Sequence, residues 1–186
     1  YSKRRALYAM NLAKKSKRPN IILCEGNLDV VTLHQAGFDN AVASMGTALT
    51  VEQTRLLSRY TKEIVICYDN DNAGKIATER ALQLLNKLPN RIVNGNSIKQ
   101  DADDFIKFQG REAFERLLSG SENGVEYRMA VIASKYNLSS DTQKVAYSRD
   151  VSTLLSTLEN PVEREVYANR AAEICGISAQ AILSEA

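Results

Sequence analysis

The sequence predicts an α/β fold: a mainly parallel sheet with helices on both faces, followed by a small all-helical subdomain. Three observations carry this expectation. Short apolar runs such as Ile21-Ile22-Leu23-Cys24 and Ile64-Val65-Ile66-Cys67-Tyr68 alternate with segments of helical length and periodicity. These runs are continuously apolar, as strands buried on both faces of a parallel sheet must be. From about residue 102 onward the strand-like runs stop and only helical segments remain.

The elements follow in order. Residues 5–16 read as a lead-in helix within a basic segment 1–20, with Leu7, Met10 and Leu12 on its apolar side and Pro19-Asn20 breaking it. The first strand is Ile21 to Glu25. A helix over about 28–36 ends at Gly37, placed as a C-terminal cap. Residues 40–44 form a second short strand. Thr50 opens the next helix, and Gln53 three residues on completes a capping-box pattern. That helix reaches about Tyr60. The third strand is 63–68. Asp71 or Asn72 starts a helix that runs to about Leu88 and stops at Pro89, and a fourth strand lies near 90–93. Helical segments then fit 102–109, 111–119, 123–135, 141–158, 161–175 and 178–185, separated by Gly110, Gly120, 137–140, Pro161 and Gly176. The predicted divisions are 1–20, 21–119 and 120–186.

Composition narrows the function classes. The 186 residues are 44% hydrophobic and 25% charged, which permits a packed core and argues against disorder. No apolar run approaches the roughly 18 residues of a membrane helix. The opening is basic and polar, so no signal peptide is expected and a cytoplasmic location is. The first residue is not Met, and the chain is expected to be part of a longer protein. Its three cysteines form no C-x-x-C pair, and Cys24 and Cys67 are expected to be small hydrophobes within buried strands. Net charge is only +2, but residues 1–20 hold Lys3, Arg4, Arg5, Lys14, Lys15, Lys17 and Arg18 with no acid. Such a block either contacts phosphates or forms a solvated face.

Carboxylates follow the strand ends. Glu25-Gly26 closes the first strand, and Asp29 falls in the first turn of the next helix. Asp69-Asn70-Asp71 closes the third strand, where alternate residues of an extended stretch point the same way. Ala73-Gly74 follow, small enough for close approach. Asp101, Asp103 and Asp104 come after the fourth strand. In open α/β sheets ligands bind beyond the carboxyl ends of strands. Acids gathered there repel one another unless a counter-ion joins them, and all-oxygen ligands suit Mg²⁺ or Mn²⁺. Two such ions about 3.5–4 Å apart serve phosphoryl and nucleotidyl transfer. Each motif alone has a plainer reading, since a D-x-D after a strand is more often a turn or a helix cap. Ser44, Gly46 and Thr47 form a small-residue loop whose N–H groups could meet phosphates or simply shape the rim. His34 is expected to be structural or solvent-facing.

C-E-G-N-L-D-V-V followed by D-N-D-N-A-G-K-I-A resembles the Toprim domain shared by primases, topoisomerases and some nucleases. A-V-A-S-M-G-T-A-L-T (41–50), Q-D-A-D-D-F-I (100–106) and P-V-E-R-E-V-Y (161–167) resemble the bacterial DnaG-type primases in particular. The resemblance covers nearly the whole chain, with Asn70 where the family has Gly and Ala102 where it has Pro. It implies a nucleotidyltransferase that makes short RNA primers from NTPs on single-stranded DNA, with two or more Mg²⁺ or Mn²⁺ ions. Glu25 would be the general acid/base or a ligand, and Asp29, Asp69, Asp71, Asp101 and Asp103 the metal-binding acids. Lys3, Arg4 and Arg5 would contact template or nucleotide phosphates. The resemblance also implies a monomer that meets the replicative helicase through a domain outside this segment. A strand-cleaving Toprim topoisomerase or nuclease is the alternative enzyme, and a non-catalytic nucleic-acid scaffold the alternative without chemistry.

Overall fold

The structure is a computed structural model and describes residues 4–93 and 101–185. The chain divides into two compact units, Tyr1–Asn123 and Gly124–Ala186.

The first unit is built on a five-stranded sheet of order β2-β1-β3-β4-β5. β1 (Ile21–Cys24), β2 (Ala41–Ala43), β3 (Ile64–Cys67) and β4 (Asn90–Ile92) run parallel, and β5 (Glu122–Asn123) is antiparallel to β4. Register aligns Cys24 with Ala43 on one side and with Cys67 on the other. Every residue of β1, β2 and β3 is buried, which explains their unbroken apolar runs. The helices of this unit are α1 (Met10–Ala13), α2 (Asn27–Gln35), α3 (Val51–Leu57), α4 (Asn72–Leu84) and α5 (Ala102–Ser119). Right-handed crossovers put α2 on one face, and α3 and α4 on the other. α5 returns to pack on α2. The core on that face joins Ile22, Cys24, Val65 and Cys67 to Leu33, Phe38, Phe105 and Phe114. Phe114 lies edge-on to Phe38 (centroids 5.0 Å apart) and Phe105 (5.9 Å).

Local sequence signals account for most boundaries. Thr50 accepts from the Gln53 N–H while the Gln53 side chain accepts from the Thr50 N–H, a complete capping box. Asp71 and Asp101 cap α4 and α5 through the N–H groups of Gly74 and Asp104. At Gly110 (φ 80°, ψ 176°) α5 breaks, where two helices were predicted. His34 is structural, with Nε2 2.9 Å from the Ala41 carbonyl oxygen.

Two expectations need correction. The lead-in helix predicted over 5–16 shrinks to Met10–Ala13. Tyr8 instead forms an antiparallel bridge with Ala43, its N–H donating to the Ala43 oxygen at 2.9 Å, and Ala9 turns away at φ 59°. β2 is an outer strand of the sheet, and this bridge covers its open hydrogen-bonding edge. Leu7 and Met10 are buried as expected, but Leu12 is half exposed. The second correction is β5, which lies in the region read as purely helical. Two residues carry no periodicity, so only pairing with β4 reveals it.

The second unit holds α6 (Gly124–Ala133), α7 (Asp141–Ser156), α8 (Pro161–Cys175) and α9 (Ala179–Ser184). Tyr147, Val151, Leu155, Ala168 and Ile182 form its core. The buried Ser152 hydroxyl donates to the Ile182 carbonyl at 2.6 Å, tying α7 to α9. Among the described residues no helix is long and apolar enough to cross a membrane.

Phe114 is fully buried among two other rings, so Phe114→Ala should cost about 3–5 kcal/mol of stability. Urea denaturation followed by circular dichroism measures it. A loss under about 1 kcal/mol would mean the aromatic cluster does not organise this face.

Candidate metal centre

β1 and β3 are neighbours whose following connections leave toward opposite sides of the sheet. This is a topological switch point, and it opens a crevice beyond their carboxyl ends. A cleft of about 860 Å³ lies there, lined by Glu25, Asp29, Asp69, Asp101 and Asp103, with Tyr68 among its other walls. Glu25 follows β1 directly and Asp69 comes two residues after β3.

The acids are held by helix starts. Asp29, in the first turn of α2, is buried and accepts N–H bonds from Gly26 and from Asp103, each 3.2 Å. It thereby joins the beginnings of α2 and α5. Asp71 Oδ1 accepts from the Gly74 N–H at 2.7 Å, and Asp101 Oδ1 from the Asp104 N–H at 2.8 Å. Gly74 is required by space: a Cβ there would sit 1.9 Å from the Asp69 carbonyl oxygen. The first turn of α4 therefore rests directly on the Asp69 backbone and fixes it.

Electrostatics distinguish the acids. Burial pushes the Asp29 carboxyl up to about 6, opposed by the bond from Asp103 and assisted by the Asp101 charge. Burial also raises Glu25, with Asp69, Asp71 and Asp29 adding repulsion. Asp69 is raised by burial and then by Asp101 and Asp71. Asp103 shifts the other way, because Lys107 and the Thr32 hydroxyl both donate to it. A carboxylate oxygen from each of Asp101, Asp103 and Asp104 lies within 4.8 Å of the other two. The cleft thus concentrates negative charge that the surrounding side chains leave largely uncompensated.

The structure brings together five of the six predicted acids as cleft-lining residues. Asp71 is exposed and does not line the cleft, although its charge acts on both Glu25 and Asp69. One of its oxygens is committed to capping α4, and a carboxylate has lone pairs left over for another ligand. Ser44, Gly46 and Thr47 line the cleft, with the Thr47 hydroxyl donating to the Ser44 carbonyl at 2.8 Å. Arg4 and Arg5 are exposed and lie outside the cleft lining, and Arg4 approaches Glu52 at 3.9 Å. Lys3 lies outside the described residues. Two contributions, those of Thr32 and Arg80, escaped the sequence reading. Thr32 holds Asp103 across 71 positions, a contact with no local signal. The Tyr68 hydroxyl is buried near Ser44 and Glu25, where burial keeps it strongly protonated. Arg80 also lines the cleft; its helical spacing from Ala73 would have found it.

Comparison with known proteins now bears on this geometry. A Toprim-like family model matches residues 22–106, and a model described as the DnaB-helicase binding domain of primase matches 125–180. The second match corrects the expectation that any helicase-related part lies outside this segment, because it falls on α6–α9. The DNA primase of Clostridium acetobutylicum is 38% identical over 184 residues, 95% of this chain and 30% of the relative. A DNA primase domain from Pseudomonas aeruginosa superposes with a TM-score of 0.85 at 26% identity, covering 100% of this chain and 60% of that one. A DnaG primase catalytic domain bound to single-stranded DNA gives 0.83 at 26% identity, over 95% and 58%. The chain spans about a third of the length of the curated relatives it matches. With primase-type strand ends, the Toprim-like sheet and a helical second unit that matches a primase model, the chain belongs to the family of bacterial DnaG-type DNA primases.

Proposed function

We propose that this chain is the cation-holding part of a primase catalytic core, which joins ribonucleotides into short RNA primers on single-stranded DNA. The observation that carries the reading is the convergence of Glu25, Asp29, Asp69, Asp101 and Asp103 on one cleft at the β1/β3 switch point. The donor set fits a hard divalent cation. It is all carboxylate, its members raise one another's proton affinity, and among the described residues a lysine donates only to Asp103. Asp29, Asp69, Asp71, Asp101 and Asp103, with Glu25, would hold two or more Mg²⁺ or Mn²⁺ ions. Such ions, when bound, neutralise triphosphate charge and the charge that develops during transfer.

The chain's own residues do the remainder. The raised Glu25 carboxyl suits it to accept the proton of an attacking 3′-hydroxyl, as that oxygen bonds to the α-phosphorus of an NTP and pyrophosphate departs. Asp29 couples α2 to α5, so the Glu25 and Asp103 ends of the cleft keep a fixed separation. Gly74 lets α4 support the Asp69 backbone. Lys3, Arg4 and Arg5 would add phosphate contacts to template or nucleotide, since the Arg4–Glu52 pair is solvent-screened and readily exchanged. The helicase would be met through α6–α9, in line with the family described for 125–180. The protein would work in the cytoplasm as a monomer. Strand cleavage is not favoured, because the relatives named above are primases.

The activity test grafts this chain into the Clostridium acetobutylicum primase in place of its matching residues, with NTPs, Mg²⁺ and single-stranded DNA. Primers should form, and Asp69→Ala should lower their yield by on the order of a hundredfold or more. Full activity in that variant would exclude the mechanism. In the same graft Gly74→Ala, which keeps every carboxylate, should weaken Mn²⁺ binding by displacing Asp69; unchanged Mn²⁺ titration would show that α4 does not position it.

The pH behaviour has a definite sign. Asp29 carries a raised folded-state value of about 6, so without divalent ions its contribution to stability is present near pH 4 and lost as pH rises through 6. Thermal melts of the ion-free chain should show this decline, and Asp29→Asn should flatten it. Added Mn²⁺ should restore stability above pH 6, because the cation replaces the lost proton. Melts insensitive to Mn²⁺ at millimolar concentration would count against the site.

A further inference from the structure

The cleft does not end at the carboxylates. Ala73, Ile76, Ala77 and Arg80 all line it, and their spacing of i, i+3, i+4 and i+7 is one continuous stripe along α4. The wall therefore extends about two helical turns beyond the acidic end, roughly 10 Å at ~1.5 Å per residue. Its character changes along that length. Ala73 and Ala77 are small, Ile76 is 55% exposed although large and apolar, and Arg80 is the only cation among the described lining residues. Across the cleft Leu28, in the first turn of α2, is 74% exposed. Among the described residues the Arg80 side chain makes no ion pair and no hydrogen bond, although its cleft holds five carboxylates. Arg80 is not among the causes of the shifts of Glu25, Asp29 or Asp69.

An unpaired guanidinium beyond two exposed aliphatic side chains is the pattern a sugar–phosphate chain requires. A planar fork matches phosphate oxygens, and aliphatic surface packs on sugar or base. One nucleic-acid strand carries a phosphate about every 3.4 Å of rise. A strand with its reacting end at the acids thus presents several phosphates within the reach of α4. We propose that Arg80 is a phosphate-binding residue of this cleft, gripping a backbone phosphate of the nucleic-acid strand whose end reacts at the carboxylates, with Ile76 and Leu28 packing on the intervening nucleotide. This rests on the functional reading above and extends it from the cations to the path of the strand. A plain solvated arginine is the competing view, and it predicts no effect on binding.

The test measures fluorescence anisotropy of a labelled single-stranded DNA oligonucleotide on the full chain with Mn²⁺, across a salt series. Arg80→Gln should weaken binding roughly tenfold, the scale of one charge-assisted hydrogen bond. It should also reduce the salt slope by about 0.7, the value for one single-strand phosphate contact. Arg80→Lys should keep the slope and recover part of the affinity, and Mn²⁺ titration should match in all three proteins. Wild-type affinity and slope in Arg80→Gln, or no binding by the wild-type chain at low salt, overturns the proposal. In the grafted primase, a raised KM for the DNA strand at unchanged KM for NTPs supports the strand as the phosphate source. A raised KM for NTPs alone overturns that assignment in favour of a triphosphate. A graft that makes no primers while anisotropy still responds at position 80 would fail the functional reading and leave the phosphate contact standing.

Discussion

Everything in the cleft depends on carboxylates tolerating each other's company before any cation arrives. The fold manages this by opening three helices, α2, α4 and α5, at the same place and giving each start an acid. Asp29 sits in the first turn of α2, Asp71 caps α4 and Asp101 caps α5. A helix start offers free N–H groups and a partial positive charge, both of which favour a carboxylate. The same acids therefore terminate helices and build the site. Compensation is incomplete, since Glu25, Asp29 and Asp69 remain displaced toward the protonated form. That residual imbalance is what a hard cation would relieve under the reading proposed above.

Position in the sheet explains why the acids meet at all. β1 and β3 are adjacent while their connections diverge, so no helix crosses over the carboxyl ends between them. The sheet below is buried, with Cys24 and Cys67 in register. Glu25 and Asp69 extend from this floor. Close approach then matters more than side-chain chemistry: Gly74 allows α4 to lie against the Asp69 carbonyl, and a single methyl would not fit there. The bond from the Asp103 N–H to Asp29 does similar work across the cleft, binding segments 74 positions apart in sequence.

The cleft also continues past its carboxylates along α4. Its acidic end is short and its far wall is a helix face that turns from small residues to an exposed aliphatic one and then to a lone arginine. In the reading proposed above, this gradient would suit a strand whose reacting end is highly charged and whose remainder is a repeating chain of sugars and phosphates. The second unit, in contrast, carries no comparable acidic cluster among its described residues. Its buried Tyr147, Val151, Leu155 and Ile182 make an ordinary helical core.

Much of this was legible in the amino-acid order alone, because the signals are local. Unbroken apolar runs marked β1 and β3, Thr50 with Gln53 marked the start of α3, and acids following the strands pointed to Glu25 and Asp69 and, further along, to the Asp101 group. What tertiary structure alone decided are the contacts between distant segments. The Tyr8–Ala43 bridge overrode helical periodicity near the start, because covering an exposed strand edge outweighs the propensity of a short helix. β5 exists only through its partner β4. Thr32 on Asp103, the commitment of Asp71 to a helix cap and the place of Arg80 on the cleft wall all depend on how separate elements stack. Sequence determines which residues can bear charge or terminate a helix; only packing determines which charges share a cleft, since Coulomb repulsion and hydrogen bonding act through space and not along the chain.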